Sequence, residues 1–214
     1  MTTTDDAAPG LRERKRRATR RAIQLAVLEL VAERGLDGVT VDEISRVADV
    51  SPRTFFNYFA SKEEAVLGDA PELPSDDDIE AFVHGASRGS VLDGLTELLV
   101  RAGELTMKDV ATVQLRHGLL KQYPQLFAMR MAAMRRFEDE IAAVVERRLA
   151  QDDPVLAADQ ALLSSRARLM TLVAFAAMRH AWMTWMTAEP SSQLSERLSE
   201  SFAELKALFA SGVP

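Results

Sequence analysis

Residues 40–59 read TVDEISRVADVSPRTFFNYF, and the punctuation of this stretch decides the fold. Thr40, with Glu43 three residues later, has the form of a capping box: the hydroxyl takes the Glu43 amide while Glu43 reaches back. The helix it starts has apolar positions at Val41, Ile44, Val47 and Ala48. Asp49 stands where the chain must turn, in a conformation that Asp tolerates less easily than glycine. Ser51 then caps a third helix, with Pro52 at the first helical position, where its missing N–H costs nothing. That helix is short and runs to about Phe59. The turn Ala48–Ser51 supplies a small residue for close approach, a turn residue, an apolar plug and a cap. Two short helices so joined, behind a longer one, describe a helix-turn-helix. The pattern buries Val50, Phe55 and Phe59 and turns Pro52, Arg53, Thr54, Phe56, Asn57 and Tyr58 towards solvent. Such a row suits a major groove, where arginine reads guanine and asparagine reads adenine.

Working outward, residues 1–10 read as a disordered tail. Seven of the eleven residues Leu11–Arg21 are basic, and the run passes unbroken into a helical stripe of Ile23, Val27, Leu30 and Val31, stopped by Gly35. Arg16, Arg17 and Arg20 are expected to extend the interface to phosphates or a minor groove. Ser61-Lys-Glu-Glu64 is a second capping box and opens a fourth helix. The helix-turn-helix domain therefore spans 11–66, and 67–85 holds the end of the fourth helix and an acidic linker with Pro71 and Pro74. A helical domain fills 86–214, with segments near 90–102, 106–121, 123–150, 155–187 and 192–210. In 123–150 the stripe is Phe127, Met131, Met134, Ile141, Val145 and Leu149. Leu169–Met178 is apolar on every face and belongs in a core or at an interface. No segment alternates with period two, so the fold class is all-α.

Composition agrees. Glycine and proline number 10 and 8 of 214 residues, few breakers for a chain of this length. The absence of cysteine excludes disulfide scaffolds, zinc ribbons and thiol chemistry. His84, His117 and His180 lie too far apart for a short metal motif, and there is no glycine-rich phosphate loop. No metal or cofactor is expected. Leu169–Met178 is half of the roughly 20 residues a membrane span needs. The N-terminus lacks the basic-then-apolar order of a secretory signal, so a soluble, cytoplasmic protein without a membrane partner is expected. The net charge of −6 hides a basic balance over residues 9–62 and an acidic one over 67–214. That asymmetry suits one module that meets a polyanion beside one that does not.

At this point the sequence resembles the tetracycline-repressor (TetR) family of bacterial transcription regulators. The resemblance rests on Thr19-Arg-Arg-Ala-Ile23, Gly35, Thr40–Ile44, Ala48–Ser51, Thr54–Phe59 and Ser61-Lys-Glu63, and covers about residues 15 to 66. It implies DNA contacts from Thr40, from the exposed face of the third helix (Pro52, Arg53, Thr54, Phe56, Asn57, Tyr58) and from Lys62. Asp49 and Arg53 replace common glycines, and Phe56 replaces a common tyrosine. The resemblance also implies a homodimer on double-stranded operator DNA, acting as a repressor, whose larger domain holds a small-molecule effector. Phe127, Met131, Met134, Phe175, Met178 and Trp182 suit an apolar or amphipathic effector, with Arg116, His117, Arg166 and Arg179 as candidates for fixing a polar or anionic group. The last two helices are expected to pair between copies, through Leu198, Phe202, Leu205 and Phe209.

Two readings from other classes stand beside this one. Gly85-Ala-Ser87-Arg-Gly89 matches the nucleophile elbow of a serine hydrolase, but that motif needs a strand before it and a sheet beneath it. A helical adaptor that keeps the helix-turn-helix without binding DNA is the other.

Overall fold

Helix α1 (Leu11–Arg34) starts inside the basic run and ends at Gly35, whose φ of 78° lies where side chains are disfavoured. It belongs to a computed structural model that describes residues 10–69, 72–85, 89–106, 110–186 and 193–210. Every element among the described residues is an α-helix. The chain divides into two units, Met1–Asp69 with Asp109–Met129, and Ala70–Lys108 with Arg130–Pro214.

The first unit is built on the α1 stripe. Ile23, Val27, Leu30 and Val31 are buried, as the 3.6-residue spacing requires. Against them lie α2 (Val41–Val47), α3 (Pro52–Tyr58) and α4 (Lys62–Leu67), which contribute Ile44, Phe55, Ala65 and Val66 to one core. Of the apolar positions of α2, Ile44 takes the inward direction and Val47 is 53% exposed. Helix α7 (Val110–Gln122) and the opening residues of α8 (Pro124–Asp152) complete the unit, with Leu119 and Leu126 in the same core. Residues 110–129, expected with the C-terminal helical domain, thus group with the helix-turn-helix. The Tyr123 hydroxyl accepts the Leu36 amide at 3.0 Å, and Arg116 Nε donates to the Val66 carbonyl at 2.9 Å.

In the second unit the acidic stretch is not a linker. Helix α5 (Asp76–Val83) opens with Ser75 as cap and Asp76, Asp77 and Asp78 in its first turn. The amide dipoles there favour negative charge, while Ile79, Phe82 and Val83 turn inward. Helix α6 (Val91–Thr106) follows. The expected segment 155–187 is broken into α9 (Pro154–Ala157) and α10 (Gln160–Met186), because Asp153 caps the first and Asp159 accepts the Leu162 amide at the start of the second. Helix α11 (Leu194–Ala210) packs along α10 and α6. The core joins Phe82, Leu95, Leu99, Phe137, Ile141, Phe175 and Phe202. By length and composition Gln160–Trp185 is apolar enough to cross a membrane, yet its inward residues Ala167, Ala174 and Phe175 are spent on this core.

One carboxylate ties the ends of this unit together. Asp93 accepts from Lys206 on one oxygen and from the Ser90 amide and hydroxyl on the other. The Lys206 ammonium first, then Ser90, lower its pKa from 3.8 to about 2. A depressed carboxylate contributes stability above its unfolded pKa and loses it as pH falls towards the folded value. About a third of each side chain meets solvent, so roughly 1 kcal/mol is expected rather than the full shift. Urea titrations should show wild-type stability falling between pH 4 and pH 2 more steeply than that of Asp93→Asn. Parallel curves would dismiss the pair as a source of stability.

Candidate nucleic-acid interface

The recognition face is assembled by local capping. In α2 the Thr40 amide and hydroxyl both donate to Glu43 Oε2 at 3.0 Å, and the Glu43 amide returns a bond to the Thr40 hydroxyl at 3.3 Å. The Thr40 backbone and hydroxyl, helped by Arg34 and Arg46, hold the Glu43 carboxyl below its usual range. The turn closes with the Val50 amide on the Ser45 carbonyl at 2.9 Å and with Asp49 at φ 54°, the left-handed conformation that the turn demanded. Ser51 Oγ accepts the Thr54 amide at 3.0 Å and starts α3.

Phe55 and Phe59 are buried one turn apart with ring centroids 6.0 Å apart, which fixes the rotation of α3 about its axis. That rotation leaves Pro52, Arg53, Phe56 and Asn57 exposed and Thr54 and Tyr58 half-buried. Phe56 is 57% exposed and meets Phe55 edge-on at 5.4 Å. Arg53 and Asn57 have no hydrogen-bond or ion-pair partner among the described residues. Uncommitted donors on a rigid face are what base reading requires.

Two expected DNA contacts are otherwise engaged. Arg20 donates from Nε to Asp69 at 2.6 Å and from Nη1 to the Tyr58 carbonyl at 2.8 Å, with its guanidinium 4.2 Å from the centre of the Phe59 ring. It holds α1, the end of α3 and the residues after α4 together. Arg16 and Arg17, further out on α1, are exposed and also have partners. Lys62 donates from Nζ to the carbonyls of Leu36 at 2.7 Å and Val39 at 3.0 Å. Its first role is therefore to satisfy the α1–α2 connection, with at most one ammonium hydrogen left for a phosphate. Lys62→Ala strands two carbonyls and should lower stability by about 1–3 kcal/mol, read from the urea midpoint. An unchanged midpoint would show these bonds to be dispensable.

The residues expected to line an effector cavity are distributed over both units. Arg116 is engaged on the Val66 carbonyl in the first unit, and Phe127, also there, is 50% exposed. Met131 and Trp182 are half-buried, and Phe175, Met134 and Met178 belong to the packed core of the second unit. Of the expected dimer residues, three lie in or against the core of their own chain. Leu198 and Phe202 are 2% and 1% exposed inside their own chain, and Leu205 packs on the same core. The inward stripe of α11 is spent within the protomer. The side chain of Phe209 lies outside the described residues. So does Ser87, but the segments flanking it are helices α5 and α6, not the strand that a nucleophile elbow needs.

Of the groove in the second unit, whose residues come from four separate helices, the sequence singled out Arg166 as a candidate for an anionic group but not the cleft beside it. The exposed stripe of α10 was partly legible, since Leu169–Met178 is apolar all round. Leu162, Leu169, Leu172 and Met183 lie on one side of α10 and are 43%, 64%, 47% and 63% exposed.

A capped two-helix corner with an outward row of free polar groups defines a helix-turn-helix protein of the all-α kind. Residues 25–67 match the profile of the bacterial regulatory proteins of the tetR family. It is 33% identical over 147 residues to the HTH-type transcriptional regulator TcmR of Streptomyces glaucescens, covering 65% of this chain and 64% of TcmR. The match thus spans just under two thirds of that relative's length. It is 29% identical over 136 residues to the transcriptional regulator MftR of Mycobacterium tuberculosis, covering 63% and 68% of the two chains. The crystal structure of a TetR-family regulator from Mesorhizobium loti superposes with a TM-score of 0.51 at 19% identity, over 90% of this chain and 96% of that one. That likeness is one of fold.

Proposed function

We propose that the protein is a DNA-binding transcriptional regulator that sits in the cytoplasm on a near-palindromic operator as a homodimer. It represses by occupying the promoter and is released by a small apolar or amphipathic effector held in its second unit. The observation that carries this reading is the exposed face of α3, where Arg53, Phe56 and Asn57 stand free on a helix pinned by Phe55 and Phe59. Similarity to TcmR supports it. Two such faces related by a two-fold axis enter successive major grooves when they sit about one helical turn apart, roughly 34–36 Å. The α10 stripe, not α11, supplies the apolar surface for that pairing.

Selection of bound sequences from random duplexes, followed by binding at rising salt, tests the proposal. An inverted-repeat site bound far more tightly than random DNA is the expected result. Retention on no duplex even at low salt would leave the helical adaptor as the better reading.

A further inference from the structure

The second unit carries a groove of about 450 Å³ between the start of α6, the end of α8, α9 and the first half of α10. This size lies within the range of about 300–1,000 Å³ typical of small-molecule sites. Its walls are apolar, formed among others by Leu149, Leu156, Met170 and Val173. Three charged side chains reach it, Asp152, Asp153 and Arg166.

Both carboxylates are occupied by the chain's own donors. Asp152 accepts Arg148 Nε at 2.7 Å, and Arg148 is itself buried, with Nη1 on the Phe82 carbonyl. Asp153 accepts the amides of Val155 and Leu156 at 3.0 Å and so caps α9. Arg166 alone has no hydrogen bond or ion pair among the described residues. An apolar cleft with one uncommitted guanidinium at its side is complementary to a molecule with a hydrophobic body and one negative group. The planar fork of arginine suits a carboxylate or sulfonate in particular.

We propose that this groove binds an amphipathic organic anion, with its apolar body against Leu149, Leu156, Met170 and Val173 and its charged group on Arg166. The inference deepens the effector reading given above and depends on it only for the regulatory consequence. Leu169 belongs both to the groove and to the exposed α10 stripe, so a bound anion touches the helix face proposed to pair the two copies.

The test titrates the full-length protein with 1-anilinonaphthalene-8-sulfonate and with its uncharged relative N-phenyl-1-naphthylamine, both read by fluorescence. Arg166→Gln should weaken the sulfonate about 10- to 100-fold, the range for a lost charge-assisted hydrogen bond, and leave the neutral probe within about 2-fold. Arg166→Lys, which keeps the charge but loses the fork, should fall between the wild type and Arg166→Gln in sulfonate affinity. Unaltered sulfonate binding in Arg166→Gln, or an equal loss of both probes, would overturn the proposal. Met170→Glu, checked for unchanged helical content, should weaken both probes; unchanged binding there would place the anion elsewhere and overturn it too. Operator affinity measured with the groove saturated separates this from the regulatory reading. If the sulfonate depends on Arg166 but operator affinity does not move, the site stands and the effector role falls.

Discussion

Glutamate at Leu169 and Leu172 together is expected to yield a folded monomer. Both side chains already face outward from α10, at 64% and 47% exposure, so in the separated chain the substitution places charge in water and disturbs no core. In a pair of copies the same residues would meet across the two-fold axis, and each unpaired carboxylate buried there costs several kcal/mol. Sedimentation at micromolar concentration should show a dimer for the wild type and a single chain for the variant, with matching circular dichroism. Operator affinity should fall by about 10²- to 10⁴-fold, because the second half-site is no longer tethered to the first. Phe202→Glu makes the contrast: its position is 1% exposed within the protomer core, so it should unfold the second unit instead of dissociating it. A monomeric wild type, or a double variant that stays dimeric, would sink the α10 interface.

Asn57→Ala should cost about 1–3 kcal/mol on the selected operator and relax preference at one position of each half-site. The amide has no partner among the described residues, so its removal should leave the fold as it was and remove only what it gives to DNA. Binding to random duplex should hardly change, since that term is phosphate-driven. Arg53, one turn away on the same face, distinguishes its two roles by the pattern it follows. A loss confined to the operator marks a base contact; a uniform loss with a salt slope lower by about one per monomer marks a phosphate contact. Should Asn57→Ala bind the operator as tightly as wild type, the face of α3 is not where sequence is read.

Most of this interface was legible before any fold was known, because its determinants are local. Thr40 with Glu43, Ser51 with Pro52, and Asp49 between them act over four or five residues, and caps and turns are chemistry of neighbours. The burial of Phe55 and Phe59 followed from helical periodicity, which also told Arg53 and Asn57 where to point. The engagements of Arg20 and Lys62 did not follow. A basic residue beside a helix-turn-helix reads as a phosphate ligand until the carbonyls of Tyr58, Leu36 and Val39 are seen within its reach. Those partners lie 23 to 38 residues away in the chain, a separation that no motif spans.

In the second unit the balance reverses. The sequence by itself determined that the remainder is helical, where most helices run, and that Leu169–Met178 must be covered by something. It did not determine by what, because a helix apolar on all sides has no preferred inward face. Packing against α11 and α6 chose Ala167, Ala174 and Phe175 for the core and left Leu162, Leu169, Leu172 and Met183 outside. The same choice spent Leu198 and Phe202 within the protomer. The groove beside Arg166 arises from four helices that share no local signal. Local hydrogen-bonding chemistry is written in neighbouring letters, whereas the sharing of apolar surface between core, groove and partner is settled only when distant helices compete for the same face.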